Sequence, residues 1–499
     1  MPKESVTYSL GGLALVDLVE RDYSLFSSVF GDIKGTKEFR NIAKFLVYNR
    51  LTYSVSIHQM LDVYSKELME ELGMKSMPSE RSIYRSLEKI GRLFPVLLER
   101  YQNFLRDHNL WDNEQFIDFS ASYFVGNRSD IGAFGYSKDH RPDKMQVSFG
   151  ISTGMNDIPA ALTIQRGNES DKKHLMEVIN VVKKVIPENS ALIFDSGGNT
   201  EKNKEKIRSL NYHYLTLKPK KVRSYKKSIS YFSDEYKKRN IQVVKIGETE
   251  YFCAKKPEND GIYYIYFSRE LYGTQIRSKS DRFERDRKKG EKILRKRKRE
   301  RYPSEDGWIE LIPELQRTIS EIDNPYITGI EGFFILESSI DADPGSILRL
   351  YKDRDKAEKF IRSLKEGLEI RPIRHWNGYS IKGLFFITFL TDFIINLTHF
   401  LGSGNGMESP HKPEEEECLE KDDPHKNDEK FDIHFEERKR KGIVNVKLLK
   451  KYLISCSKTV VYPRSNFRFH IISNITPQIT DLFGDFIKRY EDKTLNLRW

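Results

Sequence analysis

Apolar residues recur every three or four positions over Asn41 to Tyr64, Lys66 to Gly73 and Ser79 to His108, and this spacing predicts a helical domain over residues 1–112. Gly73 is placed to end one helix, and Ser79, directly after Pro78, to cap the next. That next helix reads ERSIYRSLEKIGR and stacks Arg81, Arg85 and Lys89 four apart, opposite Ile83, Leu87 and Ile90. Two short helices around a turn, the second basic, suggest a helix-turn-helix that enters a DNA major groove; the alternative is plain helical packing.

From Gln115 the period changes to two. FIDFSASYF (116–124), MQVSFGIST (145–153) and PAALTIQ (159–165) are apolar and β-prone. Ser170 or Asp171 opens a helix to about Val185, ALIFD forms a strand ending at Asp195, Thr200 opens another helix, and YHYLTL (212–217) is a fifth strand. Three strands, helix, strand, helix, strand is the layout of an RNase H-like α/β fold. It makes the carboxylates of the first and fourth strands neighbours at the centre of the sheet, at the strand ends that open α/β sheets use for ligands.

Residues 218–329 interrupt that core. KPKKVRSYKK (218–227) and RDRKKGEKILRKRKRER (285–301) bracket short β-prone runs at 241–246, 249–254 and 262–267, and predict a basic, β-rich insertion that grips DNA. A charge run of this kind is otherwise a solvated helix or a flexible segment. The core resumes over 330–401 with the strand GFFILESS (332–339) and the helix LRLYKDRDKAEKFIRSLKEGL (348–368). Residues 402–435, with EEEECLEKDD at 414–423, read as a flexible acidic linker, and 436–499 as a C-terminal region for dimerisation or DNA contact. The fold expected is therefore a mixed-sheet RNase H-like core with a β-rich basic insertion and an N-terminal helical domain.

Composition narrows this only slightly. A chain of 499 residues has room for two to four domains, and 84 Lys and Arg against 73 Asp and Glu give a net charge of +11, compatible with nucleic acid. Cys253, Cys418 and Cys456 form no ligand-spaced pair, which argues against structural zinc and disulfides and fits a reducing, cytoplasmic setting. The beginning MPKESVTYSL has no signal-peptide pattern. Ile381 to Leu401 is the most membrane-like segment, but Lys382, Asp392, Asn396 and His399 within it favour a buried core helix over a membrane partner.

On the 348–368 helix, Tyr351, Arg354, Glu358 and Lys365 share one narrow stripe beside the apolar Leu350, Ala357, Phe360, Ile361, Leu364 and Leu368. Taken alone, such a helix is an ordinary amphipathic one. Asp118 and Asp195 supply partners for Glu358. Three carboxylates from two strands and a helix are able to hold two divalent ions about 4 Å apart, the pair that activates an attacking oxygen and stabilises the leaving one in phosphodiester chemistry. Hard oxygen ligands select Mg²⁺ or Mn²⁺.

These residues bring the resemblance into view. The chain resembles the DDE transposases of bacterial and archaeal insertion sequences, in the branch marked by Tyr-x2-Arg-x3-Glu-x6-Lys, which Tyr351, Arg354, Glu358 and Lys365 match at every spacing. FIDFSASYF is similar to the family's first-Asp strand, with Ser120 where Thr is usual. FDSGGNTEKN fits the second-Asp block, with Gly198 in place of an aromatic. RGNESDKKHL resembles a Pro-Gly-Asn-x-x-Asp turn, with Arg166 for Pro. GYSKDHRPDKMQV (135–147) and RPIRHWNGYSIKGLFFITFL (371–390) look like two further family segments. The likeness is strong over about 115–217 and 330–400 and thin outside.

The resemblance implies a homodimer acting in trans on double-stranded DNA, cutting at paired terminal inverted repeats and joining the 3′-hydroxyl to target DNA. Asp118, Asp195 and Glu358 would be catalytic metal ligands, and Tyr351, Arg354 and Lys365 would contact terminal phosphates, positioning the end rather than reading bases. Arg81, Arg85, Lys89, Lys220, Lys221, Arg295, Lys296 and Arg297 are further DNA-binding candidates, and Trp308 a candidate for stacking on a flipped base, against a core or surface role. His140 is expected to make a loop hydrogen bond, since a two-metal site needs no histidine base. His375 and Trp376 are expected to pack, the alternative being that they help shape the pocket. The rivals are an RNase H-like nuclease that does not join, and a catalytically idle DNA-binding protein descended from a transposase.

Overall fold

The computed structural model describes residues 3–31, 33, 36–258, 260–301, 323–402, 445–464, 467–477 and 480. Its contacts divide the chain into two compact units, Met1–His213 with Lys352–Glu429 and His434–Trp499, and Tyr214–Tyr351 with Lys430–Ile433.

The first unit opens with a strand, where helix was expected. β1 (Lys3–Ser9) pairs antiparallel with β11 (Ser457–Arg464), which pairs in turn with β12 (Phe467–Ser473). The reason is local alternation: Val6 and Tyr8 fall on one side of KESVTYS, and the partner strand stands more than 400 residues away, beyond any periodicity argument. Seven helices follow: α1 (Leu10–Tyr23), α2 (Leu25–Phe30), α3 (Thr36–Leu51), α4 (Ile57–Val63), α5 (Lys66–Glu71), α6 (Glu80–Arg92) and α7 (Phe94–Asp107). Gly73 takes φ +78° just after α5, and the Ser79 hydroxyl accepts from Ser82 N–H at 3.2 Å, so both expected punctuation marks are in place.

The sheet comes next. β2 (Glu114–Tyr123), β3 (Gln146–Thr153) and β4 (Pro159–Arg166) form an antiparallel meander. Helix α8 (Asp171–Val182) crosses over, so that β5 (Ala191–Phe194) lies parallel to β2, and α9 (Glu201–Arg208) follows. The order β4-β3-β2-β5 is the one the RNase H-like expectation requires of these four strands.

In the second unit β6 (His213–Leu217), α10 (Val222–Lys237), β7 (Gln242–Ile246), β8 (Thr249–Glu258), β9 (Gly261–Phe267), α11 (Arg269–Arg301), β10 (Phe333–Ser338) and α12 (Pro344–Lys352) follow in order. The strands stand antiparallel in the order β6-β10-β9-β8-β7. Tyr225, Phe232, Ala254, Ile265, Ile330 and Ile335 form their core. The basic run 285–301 continues α11 as helix.

The chain re-enters the first unit with α13 (Asp355–Arg362), then α14 (Gly378–Gly402), and α15 (Val446–Ser455) precedes β11. Helix α14 is the buried core helix expected. Its mean hydropathy of 1.5 would suit a membrane span, yet 89% of that window is buried inside the protein. Phe385 meets Phe149 on β3, Phe386 meets Phe30 on α2 and Phe94 at the start of α7, and Phe389 and Phe393 flank Tyr101 on α7 at 5.1 and 5.2 Å. Each ring removed from water contributes roughly 1.5–3 kcal/mol. The polar residues of α14 are accommodated locally, Thr388, Thr391 and Thr398 donating to the carbonyls four residues back.

Helix α6 crosses α14 at backbone contact. A Cβ on Gly91 would stand 1.7 Å from the Tyr379 carbonyl oxygen, and one on Gly383 2.1 Å from that of Leu87. Gly91→Ala is therefore expected to destabilise the protein by roughly 3 kcal/mol or more, seen as a lower thermal midpoint. Gly290→Ala on α11, where no atom of the described residues stands within 4 Å, is expected to leave the midpoint unchanged or raised.

Asp392 is the costly residue of α14. Ser363 Oγ donates to its Oδ1, Oδ2 has no hydrogen-bond partner among the described residues, and burial pushes its carboxyl up to about 7, Ser363 opposing. A raised carboxyl pKa favours the folded state while protonated, so this contribution is complete below 3.8 and is lost as pH rises through about 7. Asp392→Asn is expected to flatten that decline; urea midpoints of wild type and variant that change in parallel across the window would refute it.

Candidate active site

β2 is buried on both faces, and Asp118 sits half-buried in it between Ile117 and Phe119. The parallel register pairs Phe116 with Ile193 and Ile117 with Phe194, so the next residues along the two strands are Asp118 and Asp195. Asp195 is exposed at the carboxyl end of β5, where the chain turns through Ser196–Gly198. The turn is tight because Gly198 has no side chain: a Cβ there would meet Leu175 at 2.7 Å and Phe194 at 3.1 Å. Leu175 and Phe194 thus fill the space that a side chain at position 198 would need.

Helix α13 packs across β2 and β3, burying Ala357, Phe360 and Ile361, with Phe360 edge-on to Phe389 at 6.1 Å. That anchors Glu358 over the sheet. Arg354 joins the two elements: Nη2 donates to Glu358 Oε1 at 2.5 Å and Nη1 to Asp118 Oδ1 at 3.5 Å. Burial pushes the Asp118 carboxyl up to about 6; Arg354 and Lys138 oppose the rise and Glu358 adds to it.

Lys138 escaped the sequence reading. Its Nζ donates to Phe119 O at 2.9 Å and to both oxygens of Asp171, at 2.9 and 3.1 Å, fixing a second cation beside Asp118. Asp171 begins α8 but is engaged with Lys138, and Ser170 is the N-cap. The only sequence signal was the position of Lys138 in GYSKDHRPDKMQV.

The 348–368 segment is not the single helix expected. Helix α12 ends at Lys352, Asp353 and Arg354 form a turn with short bonds from Lys356 and Ala357 N–H to their carbonyls, and Ser363–Gly367 widens into a π turn. Half-buried Tyr351 closes the second unit, whereas Arg354, Glu358 and Lys365 belong to the first. The wide turn takes Lys365 to a buried carboxylate: its Nζ lies 2.7 Å from Asp139 Oδ1, which Arg371 Nη1 also approaches at 2.6 Å. Burial pushes the Lys365 ammonium down, and Asp139 opposes this.

Other candidates are dispersed. Arg81 and Arg85 are exposed on α6, while Lys89 lies over the Phe39 ring at 4.5 Å. Lys220 and Lys221 are exposed just before α10, and Lys296 on α11. The side chains of Arg295 and Arg297, all of Trp308, Cys418, and the expected linker from residue 403 lie outside the described residues. His140 is exposed at φ +55° and its N–H bonds Ser137 O, while Trp376 is 65% exposed.

The donor chemistry fits a hard divalent ion, with carboxylates on a strand, at the end of its parallel neighbour and on a helix above. Among the described residues, no three His, Cys, Asp or Glu side chains converge closely enough to share an ion as they lie. The Arg354 guanidinium bridges two of the three candidate ligands.

No family model matches the chain, and no curated protein matches it. Among solved structures it is similar to the piggyBac transposase synaptic complex with hairpin DNA, at 11% identity over 81% of this chain and 74% of that one, with a TM-score of 0.37. A score of that size leaves the function to be argued from the residues.

Arg354→Ala removes the strongest of the groups that hold Asp118 down, so its carboxyl is expected to titrate above 6. Because the folded pKa is already raised, stability is lost as pH rises through that value, and the variant extends the loss upward. Carbon-13 carboxyl titration of aspartate-labelled protein reads the shift, and a position equal to wild type would refute the pairing.

Proposed function

We propose that this chain is a DNA transposase of the DDE type, acting on double-stranded DNA at transposon ends and in target DNA. The observation that carries the reading is the placing of Asp118, Asp195 and Glu358, with Arg354 of the same spaced signature reaching both Asp118 and Glu358. Chance alone seldom gives four such spacings together with a strand order that puts two aspartates at adjacent register positions.

Asp118, Asp195 and Glu358 would hold two Mg²⁺ or Mn²⁺ ions, which when bound supply activation of the attacking oxygen and stabilisation of the leaving one. The chain's own residues do the rest. Asp118, half-buried and adjacent to Phe119, offers a carboxylate in a partly desolvated setting, where charge interactions are stronger than in water. Arg354 is the phosphate-binding group best placed near the carboxylates, its planar fork suited to a phosphodiester oxygen pair. Lys365 and Tyr351 join it in the proposal, Lys365 on condition that it leaves Asp139. Exposed Arg81 and Arg85, and the basic helices of the second unit, would bind DNA backbone sequence-independently. Assembly as a homodimer on paired ends, and action in a prokaryotic cytoplasm, belong to the same proposal.

A nuclease that cuts without joining is the second reading, and the same carboxylates support it. With a duplex carrying the repeats that flank the gene, wild type in Mg²⁺ is expected to yield both cleaved and joined product. Glu358→Gln and Asp118→Asn are each expected to lower cleavage by more than about a hundredfold, beyond the usual loss from an outer-sphere contact. Cleavage without joining from precut ends selects the nuclease, and undiminished cleavage by Glu358→Gln refutes both readings.

A further inference from the structure

A cavity of about 200 Å³ lies within the first unit between α3, α6, α14 and the segment Glu369–His375. Three guanidiniums line it, Arg50, Arg371 and Arg374, against a single carboxylate, Glu369. Arg371 is engaged with Asp139 and Glu366, and Glu369 with Lys450 at 3.4 Å. Glu369 also acts on Arg50 at longer range, but among the described residues neither of the other two cations has a carboxylate within ion-pair distance. Half-buried Arg50 donates from Nη1 to the carbonyls of Leu368 and Glu369, at 3.0 and 3.3 Å, and makes no ion pair among the described residues. Arg374, exposed at the rim, makes none either. His375 stands edge-on to Tyr84 at 6.0 Å, and burial, with Arg50 adding, pushes its imidazole down to about 4, so it is a neutral ring at physiological pH.

We propose that this cavity binds a phosphoryl oxyanion between Arg50 and Arg374. A guanidinium withdrawn from water without a counter-charge is costly, and two of them facing one space repel each other unless an anion lies between. Each guanidinium carries five N–H donors in a rigid fork, and Arg50 uses one nitrogen on the protein. The neutral His375 ring adds a donor or acceptor without altering the charge. The volume suits one oxyanion with a few waters and falls below the roughly 300 Å³ at which pockets for larger organic ligands begin. The phosphoryl group is either free inorganic phosphate or a phosphate of a DNA strand. The proposal holds independently of any chemistry at Asp118, Asp195 and Glu358.

The test titrates the full-length protein with inorganic phosphate, chloride holding the ionic strength constant. It reads the thermal midpoint and the His375 imidazole resonance. Saturable stabilisation with a shift of His375 is expected. Arg374→Ala, whose exposed side chain can be truncated without opening the core, is expected to weaken phosphate binding about tenfold or more, the cost of one charge-assisted contact. Glu369→Gln, which removes the one lining carboxylate, is expected to tighten it. Titrating a DNA duplex without inorganic phosphate separates the sources: a saturable His375 shift that later phosphate does not change assigns the site to a strand phosphate, and a His375 resonance unmoved by duplex but moved by phosphate assigns it to the free ion. Stabilisation no greater than that by chloride, or wild-type affinity in Arg374→Ala, overturns the proposal.

Discussion

Burying helix α14 imposes a constraint that most of the first unit obeys. Its phenylalanines take contacts from α2, α7, β3 and α13, and its backbone is crossed so closely by α6 that glycine is required on both helices. Since α13 is held through Phe360 against Phe389, the height of Glu358 over the sheet is set by core packing rather than by the polar residues around it. Dense interiors transmit such placement because side chains cannot shift without opening voids. The same helix carries Asp392, whose partner Ser363 begins the wide turn leading to Lys365.

Charge balance is the second constraint. Asp118 is partly desolvated, Glu358 adds a like charge, and the local cations are Arg354 and Lys138. A guanidinium between two carboxylates answers the need that a divalent ion would answer, neutralising negative charge gathered by the sheet order and by α13. Lys138 is tied down by Asp171 and Phe119 O and has little freedom to act the same way. Arg354 reaches its partners from the N-cap of a short helix, within the turn it forms with Asp353.

Much of this was legible in the sequence, for reasons that differ by element. The strands from Phe116 to Leu217 announce themselves by alternation and by β-branched and aromatic content, and their order follows from short connections and one helical crossover. Asp118, Asp195 and Glu358 stand out as candidates because of their places in that order. The turn at Asp353 and the π turn at Ser363 were not foreseeable, since apolar spacing continues through both, and a helix drawn through them gives no hint of the pairing of Lys365 with Asp139. The pairing of β1 with β11 joins chain ends that no local pattern connects. Lys138, Asp139 and Asp171 are hydrophilic loop or cap residues in sequence, and only the folded chain makes them an interlocked charge set with Lys365 and Arg371.

That set bears on how the signature residues divide their work. Lys365 and Arg371 converge on one oxygen of Asp139 while its other oxygen has no hydrogen-bond partner among the described residues, so two cations share one buried anion. Removing either cation still leaves the carboxylate paired, whereas removing the carboxylate would strand both, the costlier event in a low dielectric. Arg371 also lines the cavity that holds Arg50 and Arg374, and Lys365 follows Glu358 on the same segment. Asp139 therefore links the segment that carries Glu358 to the segment that carries Arg371 through ion pairs. The spacing of the signature thus places Arg354 and Glu358 at the carboxylates and Lys365 at the charge network that holds their segment in place.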